Sequence, residues 1–177
     1  SPIRIVLAGV AINALLTSMA SIVTMFNGGV QNSIDMWLSG GLATVTKSDV
    51  NILAICTILG ISLALMTGKT CNLLSLGDKT SKSLGVDTTK QTIIISAIAV
   101  FLASTSTGVG GVISFVGLIV PHIARFIIGS NHNYLIPFSA ALGSILLVLA
   151  DTLGRTMFKP YEIPVGLVMS VIGAPFF

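Results

Sequence analysis

The stretch Gly108-Val-Gly-Gly-Val-Ile-Ser-Phe-Val-Gly-Leu-Ile-Val-Pro-His-Ile-Ala-Arg125 decides how the rest of the chain is read. It is apolar enough for a bilayer, yet it carries a proline, a histidine, an arginine and repeated glycines. In a helix, Pro121 has no N–H to give the carbonyl of Gly117, so the sequence predicts a kink or an early end there. Lipid does not tolerate the unpaired backbone such a break leaves, so the stretch must pack against protein or border a wet cavity. An interrupted apolar helix among ordinary ones points to transport.

Composition supports a membrane setting. Of the 177 residues 53% are hydrophobic and 8% charged, with a mean hydropathy of +0.99, whereas a globular domain averages about 25% charged residues. The net charge of +3 and the lack of an aromatic-interleaved basic patch give no case for nucleic acid. Cys56, inside an apolar run, and Cys71, just after one, form neither a disulfide framework nor a zinc site. The chain opens Ser-Pro and closes on Pro175-Phe-Phe within an apolar run, and it is read as a piece of a longer membrane protein.

Outward from the opening stretch, six spans are expected, at about 3–26, 50–67, 91–107, 110–128, 134–153 and 163–177; each is measured against an apolar core of about 30 Å. In the first, Gly9, Asn13, Thr17 and Ser21 recur every fourth residue as one small, polar stripe. Such a stripe either lets two membrane helices pack closely or faces water in a pathway, and the sequence leaves both open. Asp35 to Leu38 suggests a short interfacial helix anchored by Trp37. Gly166, Ser170 and Ala174 share one face of the last span.

Between the second and third spans lies the most polar segment, 69–90. It reads as two very short helices, the first capped by Asn72 and the second by Asp78, with closure at Gly85. Leu74, Leu76 and Leu84 are apolar residues on a loop that also carries Lys79 and Lys82, a pattern that suits a rigid docking surface better than a tether. With this loop cytoplasmic, Arg4, Lys69, Lys79, Lys82, Lys90 and Arg125 fall inside and Lys47, Arg155 and Lys159 outside. That is six against three, the bias expected of cytoplasmic loops. Arg155 and Lys159 on the outer rim either recruit an acidic partner or pair with Asp151 and Glu162.

Enzyme chemistry is poorly served. His122 and Arg125 lie one helical turn apart near a cytoplasmic end, where an arginine snorkels, and His132, in a loop, has no carboxylate or thiol beside it to make a metal site. Asp151 has no second buried carboxylate or histidine in its span with which to relay protons. An ion-coupled secondary transporter also uses broken helices, but it needs coupling-ion groups near the midplane that are not evident here. An intramembrane enzyme needs a nucleophile or metal set, and His122 alone is too little.

With these residues in view, the chain resembles the FecCD family, permease subunits of ATP-driven importers for iron–siderophores, haem and cobalamin. The likeness rests on Leu7-Ala-Gly-Val10, on Leu76-Gly-Asp-Lys-Thr-Ser-Lys-Ser-Leu-Gly-Val86, on Gly111 to Arg125, and on Glu162-Ile-Pro-Val-Gly166 followed by Ile172-Gly-Ala-Pro-Phe176. Trp37-x-x-Gly-Gly41 and Ala150-Asp-x-x-x-Arg155 fit in order and spacing.

The resemblance implies an all-α, polytopic transmembrane bundle: the C-terminal six spans of a single ten-span permease domain of a type II ABC importer, in the bacterial cytoplasmic membrane. It implies cytoplasmic ATPase subunits, an extracytoplasmic substrate-binding protein and a second permease copy or paralogue as partners, and no cofactor, metal or catalytic residue of its own. ATPase coupling would fall to Leu73, Leu74, Leu76, Gly77, Asp78, Lys79, Lys82, Leu84 and Gly85, and binding-protein docking to Arg155 and Lys159. The pathway would be lined by Gly9, Asn13, Thr17, Ser21, Gly166 and Ser170. Gly111, Gly117, Pro121, His122 and Arg125 would form a structural pivot, with the two glycines permitting close packing. The resemblance places the first four spans and the end of the last outside this chain.

Overall fold

A computed structural model describes residues 2–26, 31–43, 45–157 and 161–176. The described residues form helices and connecting turns, with no strand among them. The chain divides into two compact units, Ser1–Met36 and Trp37–Phe177.

The first unit is built on helix α1, Pro2–Phe26, and holds most of a short second helix, α2, Gln31–Leu38. Within α1 the window Val6–Phe26 has a mean hydropathy of 2.0 and nothing buried. Its hydroxyls are satisfied inside the helix: Thr17 Oγ1 donates to the Asn13 carbonyl at 2.8 Å and Ser21 Oγ to the Thr17 carbonyl at 2.9 Å. Such back-bonding removes the need for an outside partner. The carboxamide of Asn13 makes no hydrogen bond among the described residues, which makes it the most demanding polar group of the stripe.

The second unit contains α3 (Lys47–Met66), α4 (Gly68–Leu74), α5 (Asp78–Ser83), α6 (Thr88–Gly110), α7 (Val116–Ile128), α8 (His132–Thr156) and α9 (Val165–Gly173), which closes in a 3-10 turn, Ala174–Phe176. With α1, the helices α3, α6 and α8 are long and apolar enough to cross a membrane, and α7 and α9 are shorter apolar helices. Helix α3 packs on α6, and α8 packs on both α7 and α9. The small core lies between the last two: Ala150, Val165 and Met169 are buried, with Leu42, Ile113, Val116, Leu146, Leu147 and Val168 around them. Most other large apolar side chains face outward, the distribution expected where lipid or further spans replace water.

Local chemistry sets the boundaries, and several differ from the sequence expectation. Helix α3 starts at Lys47 because Thr46 and Asp49 form a reciprocal capping box. The fourth span does not run from 110. Helix α6 continues to Gly110, residues 111–114 have no regular secondary structure, Phe115 forms a bend, and α7 starts only at Val116. Pro121 neither ends α7 nor shortens it, since the helix continues to Ile128. The hydrogen bond lost to Pro121 would have gone to Gly117, whose carbonyl can tilt from the ring with no Cβ to carry along.

The break is made by Phe115 instead. It is the one described non-glycine residue with positive φ, at 66°, a conformation costing roughly 1–3 kcal/mol. Its ring sits where a Cβ on Gly173 would be, and its carbonyl accepts from Ile119 N at 2.9 Å, opening α7.

Two expected caps are also corrected. Asn72 lies inside α4, which starts at Gly68, five residues before the Leu73 expected to open the first short helix, and its side chain points to another helix. Asp78 is the first residue of α5, and the cap position belongs to Gly77 at φ 94°.

Candidate functional site

Two ends of the second unit gather the residues singled out by sequence. At one end, α4 and α5 form a hairpin between α3 and α6. Ser81 knits it together: its fully buried hydroxyl lies 2.7 Å from the Leu73 carbonyl and 2.9 Å from that of Gly77. The turn after α5 closes through Gly85 N to the Lys82 carbonyl and Val86 N to the Ser81 carbonyl, both 3.0 Å, with Gly85 at φ 81°. Leu76 and Leu84 are each 57% exposed, and Lys79 and Lys82 are exposed beside them. Leu73 and Leu74 are half-buried in the hairpin. The product is a rigid, cationic knuckle with two projecting leucines.

This end also holds residues that sequence reading missed as a group. Asn72 of α4 meets Asn131 and His132 at the start of α8. His132 is therefore the first residue of a helix and not a loop residue. Both partners are asparagine-rich turn residues in the sequence, but nothing local links positions sixty apart.

At the other end three backbones converge. Trp37 O accepts from Gly40 N at 3.1 Å and from Val112 N at 3.2 Å, and Trp37 Nε1 donates to the Gly108 carbonyl at 3.3 Å. The approach is so close that a Cβ on Gly111, at φ 75°, would strike the Trp37 carbonyl, and one on Gly166 the Ser39 carbonyl. Gly166 is thus a buried packing position here. Ser170, half-buried one turn on, spends its hydroxyl on the Gly166 carbonyl at 2.8 Å. Gly117, by contrast, faces open space within the chain.

Close to this end, Arg155 Nε donates to Asp151 Oδ2 at 2.8 Å, with the arginine side chain still 44% exposed. Lys159 lies outside the described residues. Gly9, Asn13, Thr17 and Ser21 are all exposed on α1.

His122 is exposed and, with Leu118, Ile119 and Phe176, borders a cavity of about 270 Å³ that is mostly apolar. Arg125 is exposed one turn further on. No three potential metal ligands come together among the described residues.

Comparison with known proteins gives this arrangement a context. The FecCD transport family matches residues 1–177. The chain is 41% identical, over its full length, to 53% of an iron(III)-citrate import system permease protein of Bacillus subtilis (strain 168). It is 38% identical, again over its full length, to 46% of an iron(III)-hydroxamate import system permease protein of the same organism. A probable heme-iron transport system permease protein of Staphylococcus aureus (strain Newman) is 38% identical over 98% of the chain and 52% of its own length. The chain thus spans about half the length of the curated relatives it matches. Among solved structures, one assigned to the metal-chelate type of ABC transporter, in an inward-facing conformation, matches 93% of this chain and 54% of its own. That match has a TM-score of 0.81 at 30% identity.

Proposed function

The chain belongs to the FecCD transport family, and from that premise we propose that it is the C-terminal part of the permease of an ATP-driven importer for a chelated metal or tetrapyrrole. An iron–siderophore is the first candidate cargo and haem or cobalamin the next. The names of the relatives, which carry iron citrate, iron hydroxamate and haem iron, support an iron-bearing cargo. The permease sits in the bacterial cytoplasmic membrane as a multi-pass protein. Its partners are two ATPase subunits inside, a substrate-binding protein outside, and a second permease copy or a close paralogue.

The observation that carries this reading is the α4–α5 hairpin. A flexible loop would absorb a push from a partner, whereas a turn pinned by the buried Ser81 hydroxyl transmits it. Leu76 and Leu84, more than half exposed on a short polar segment, suit a groove on a cytoplasmic ATPase. Closure of the ATPase pair would move the hairpin and with it α3 and α6, the two helices continuous with it. On the outer rim, Arg155 and Lys159 would meet acidic residues of the binding protein. The cargo would pass along weakly interacting small residues, for which the exposed Gly9, Asn13, Thr17 and Ser21 of α1 remain the candidates, whereas Gly166 is taken up by packing against Ser39 and Val112. ATP chemistry belongs to the partner subunit, and no residue here bonds the nucleotide.

The test is uptake by the full-length parent in proteoliposomes with its ATPase and binding protein, using an iron(III)–hydroxamate chelate and haem as probes. Uptake is expected to require ATP hydrolysis. Accumulation driven by a proton or sodium gradient alone would replace this reading with ion-coupled transport.

A further inference from the structure

Every α-helix starts with N–H groups that its own backbone cannot satisfy. At the start of α8, Asn131 Oδ1 accepts from Asn133 N at 3.1 Å, an ordinary cap. The N–H of His132 is satisfied from sixty residues away, by Asn72 Oδ1 on α4 at 2.8 Å. The same oxygen lies 2.8 Å from His132 Nδ1, while Asn72 Nδ2 donates to Asn131 Oδ1 at 2.9 Å. One carboxamide thus uses both its acceptor and its donor on the first residues of α8. The backbones are close as well, since a Cβ on Gly68 would stand 3.3 Å from the Asn133 Cα and 3.4 Å from its N.

We propose that Asn72 is a positioning residue that latches the α4–α5 hairpin to the start of α8. The latch rests on the reading of that hairpin as the ATPase-facing element. Chain connectivity alone carries a push on the hairpin into α3, through Thr67, and into α6, through residues 84–87. Asn72 adds a third, non-covalent route. Helix α8 has 25 residues, which makes it a rod of about 37 Å. Near its far end it carries the Asp151–Arg155 pair. A displacement applied at Asn72 therefore reaches the rim where the binding protein would sit, and docking at that rim reaches the hairpin by the same rod. A side chain that caps a helix from a different helix serves both as cap and as joint.

The experiment uses Asn72→Ala in the full-length parent, assembled with its ATPase and binding protein in proteoliposomes. ATPase subunits are expected to stay bound, while stimulation of ATP hydrolysis by the binding protein falls about five- to tenfold, the factor set by one or two lost net hydrogen bonds. Asn72→Asp keeps an acceptor for both His132 groups but sets a carboxylate oxygen against Asn131 Oδ1 in place of the donor, so it is expected to restore only part of the stimulation. Unchanged stimulation in Asn72→Ala overturns the proposal. Loss of the ATPase subunits also overturns it, because Asn72 would then belong to the docking surface.

Hydrogen exchange on the detergent-solubilised full-length parent, without ATP or partners, tests the latch separately. Asn72→Ala should speed exchange at the amides of residues 132–135. Unchanged exchange there overturns the latch, whatever drives transport.

Discussion

At the residue scale, the glycines separate into those that make room and those that do not. Gly111 combines a left-handed backbone with a Cβ position blocked by the Trp37 carbonyl. Alanine there is expected to cost roughly 2–4 kcal/mol, from backbone strain and displaced neighbours together. A clear fall in the melting temperature of the full-length parent in detergent would show it. Gly117 lies inside α7 with nothing within 4 Å of its Cβ position, so Gly117→Ala should leave the melting temperature level or raise it, alanine being favoured over glycine in a helix by about 1 kcal/mol. An equal loss at both sites would mean that Gly117 meets a surface outside this chain. Arg155 poses a different question, because its contact with Asp151 is partly exposed and surface pairs contribute about 0–1 kcal/mol. Breaking the pair should hardly alter stability. Arg155→Glu, which sets two carboxylates one turn apart on the rim, should instead weaken docking of the binding protein about tenfold, measured by surface-immobilised titration. Wild-type affinity would assign Arg155 to its pair with Asp151 alone.

At the scale of elements, the sequence was most legible where one signal acts locally. Long apolar runs located all six apolar helices to within a few residues, apart from α7. The polar segment 69–90 was legible as two short helices closing at Gly85, although the caps read for them, Asn72 and Asp78, are Thr67 and Gly77 in the structure. Pro121 misled because a missing N–H is a local cost, whereas the break at 111–115 depends on the Phe115 ring finding Gly173, fifty-eight residues on. Asn72 misled for the same reason: a carboxamide can cap its own helix or another's, and the choice is made by tertiary contact. Gly166 was legible as a small residue on a face, but its burial against Ser39 and Val112 was not. The hairpin itself yields a sharper expectation. Leu76→Asp and Leu84→Asp each remove an exposed apolar contact and should weaken retention of the ATPase by about tenfold or more, from roughly 1.5–3 kcal/mol per buried leucine. Co-purification of the ATPase with the full-length parent is the measure, and undiminished retention in both variants would move docking elsewhere. Ser81→Ala should leave the leucines in place yet loosen the turn, lowering ATP-coupled uptake more than retention.

At the scale of the whole molecule, the contacts of the second unit settle which connections share an end. The hairpin and the turn before α8 meet through Asn72, Asn131 and His132. The segment 37–41, the stretch 110–113 and the start of α9 meet through Gly40, Gly111 and Gly166, with Gly154 and Ile163 closing nearby through a 3.2 Å backbone hydrogen bond. Connections therefore alternate from end to end along the chain, as successive spans require. Lys69, Lys79, Lys82 and Lys90 belong to the hairpin end and its continuation, whereas Lys47 and Arg155 lie toward the other. Under the positive-inside bias the hairpin is expected to face the cytoplasm, as the proposed ATPase contact requires. Cysteine labelling of the full-length parent in intact cells and in inverted vesicles tests this directly, after Cys56 and Cys71 are replaced by alanine. Lys82→Cys, exposed on α5, should react with a membrane-impermeant maleimide only in inverted vesicles. Tyr161→Cys, at a site 78% exposed, should react only in intact cells. Reaction of both from one side would break the alternation of ends. A clean reversal would leave the fold standing but put the hairpin outside, where no ATPase could reach Leu76 or Leu84, and the importer reading would go with it.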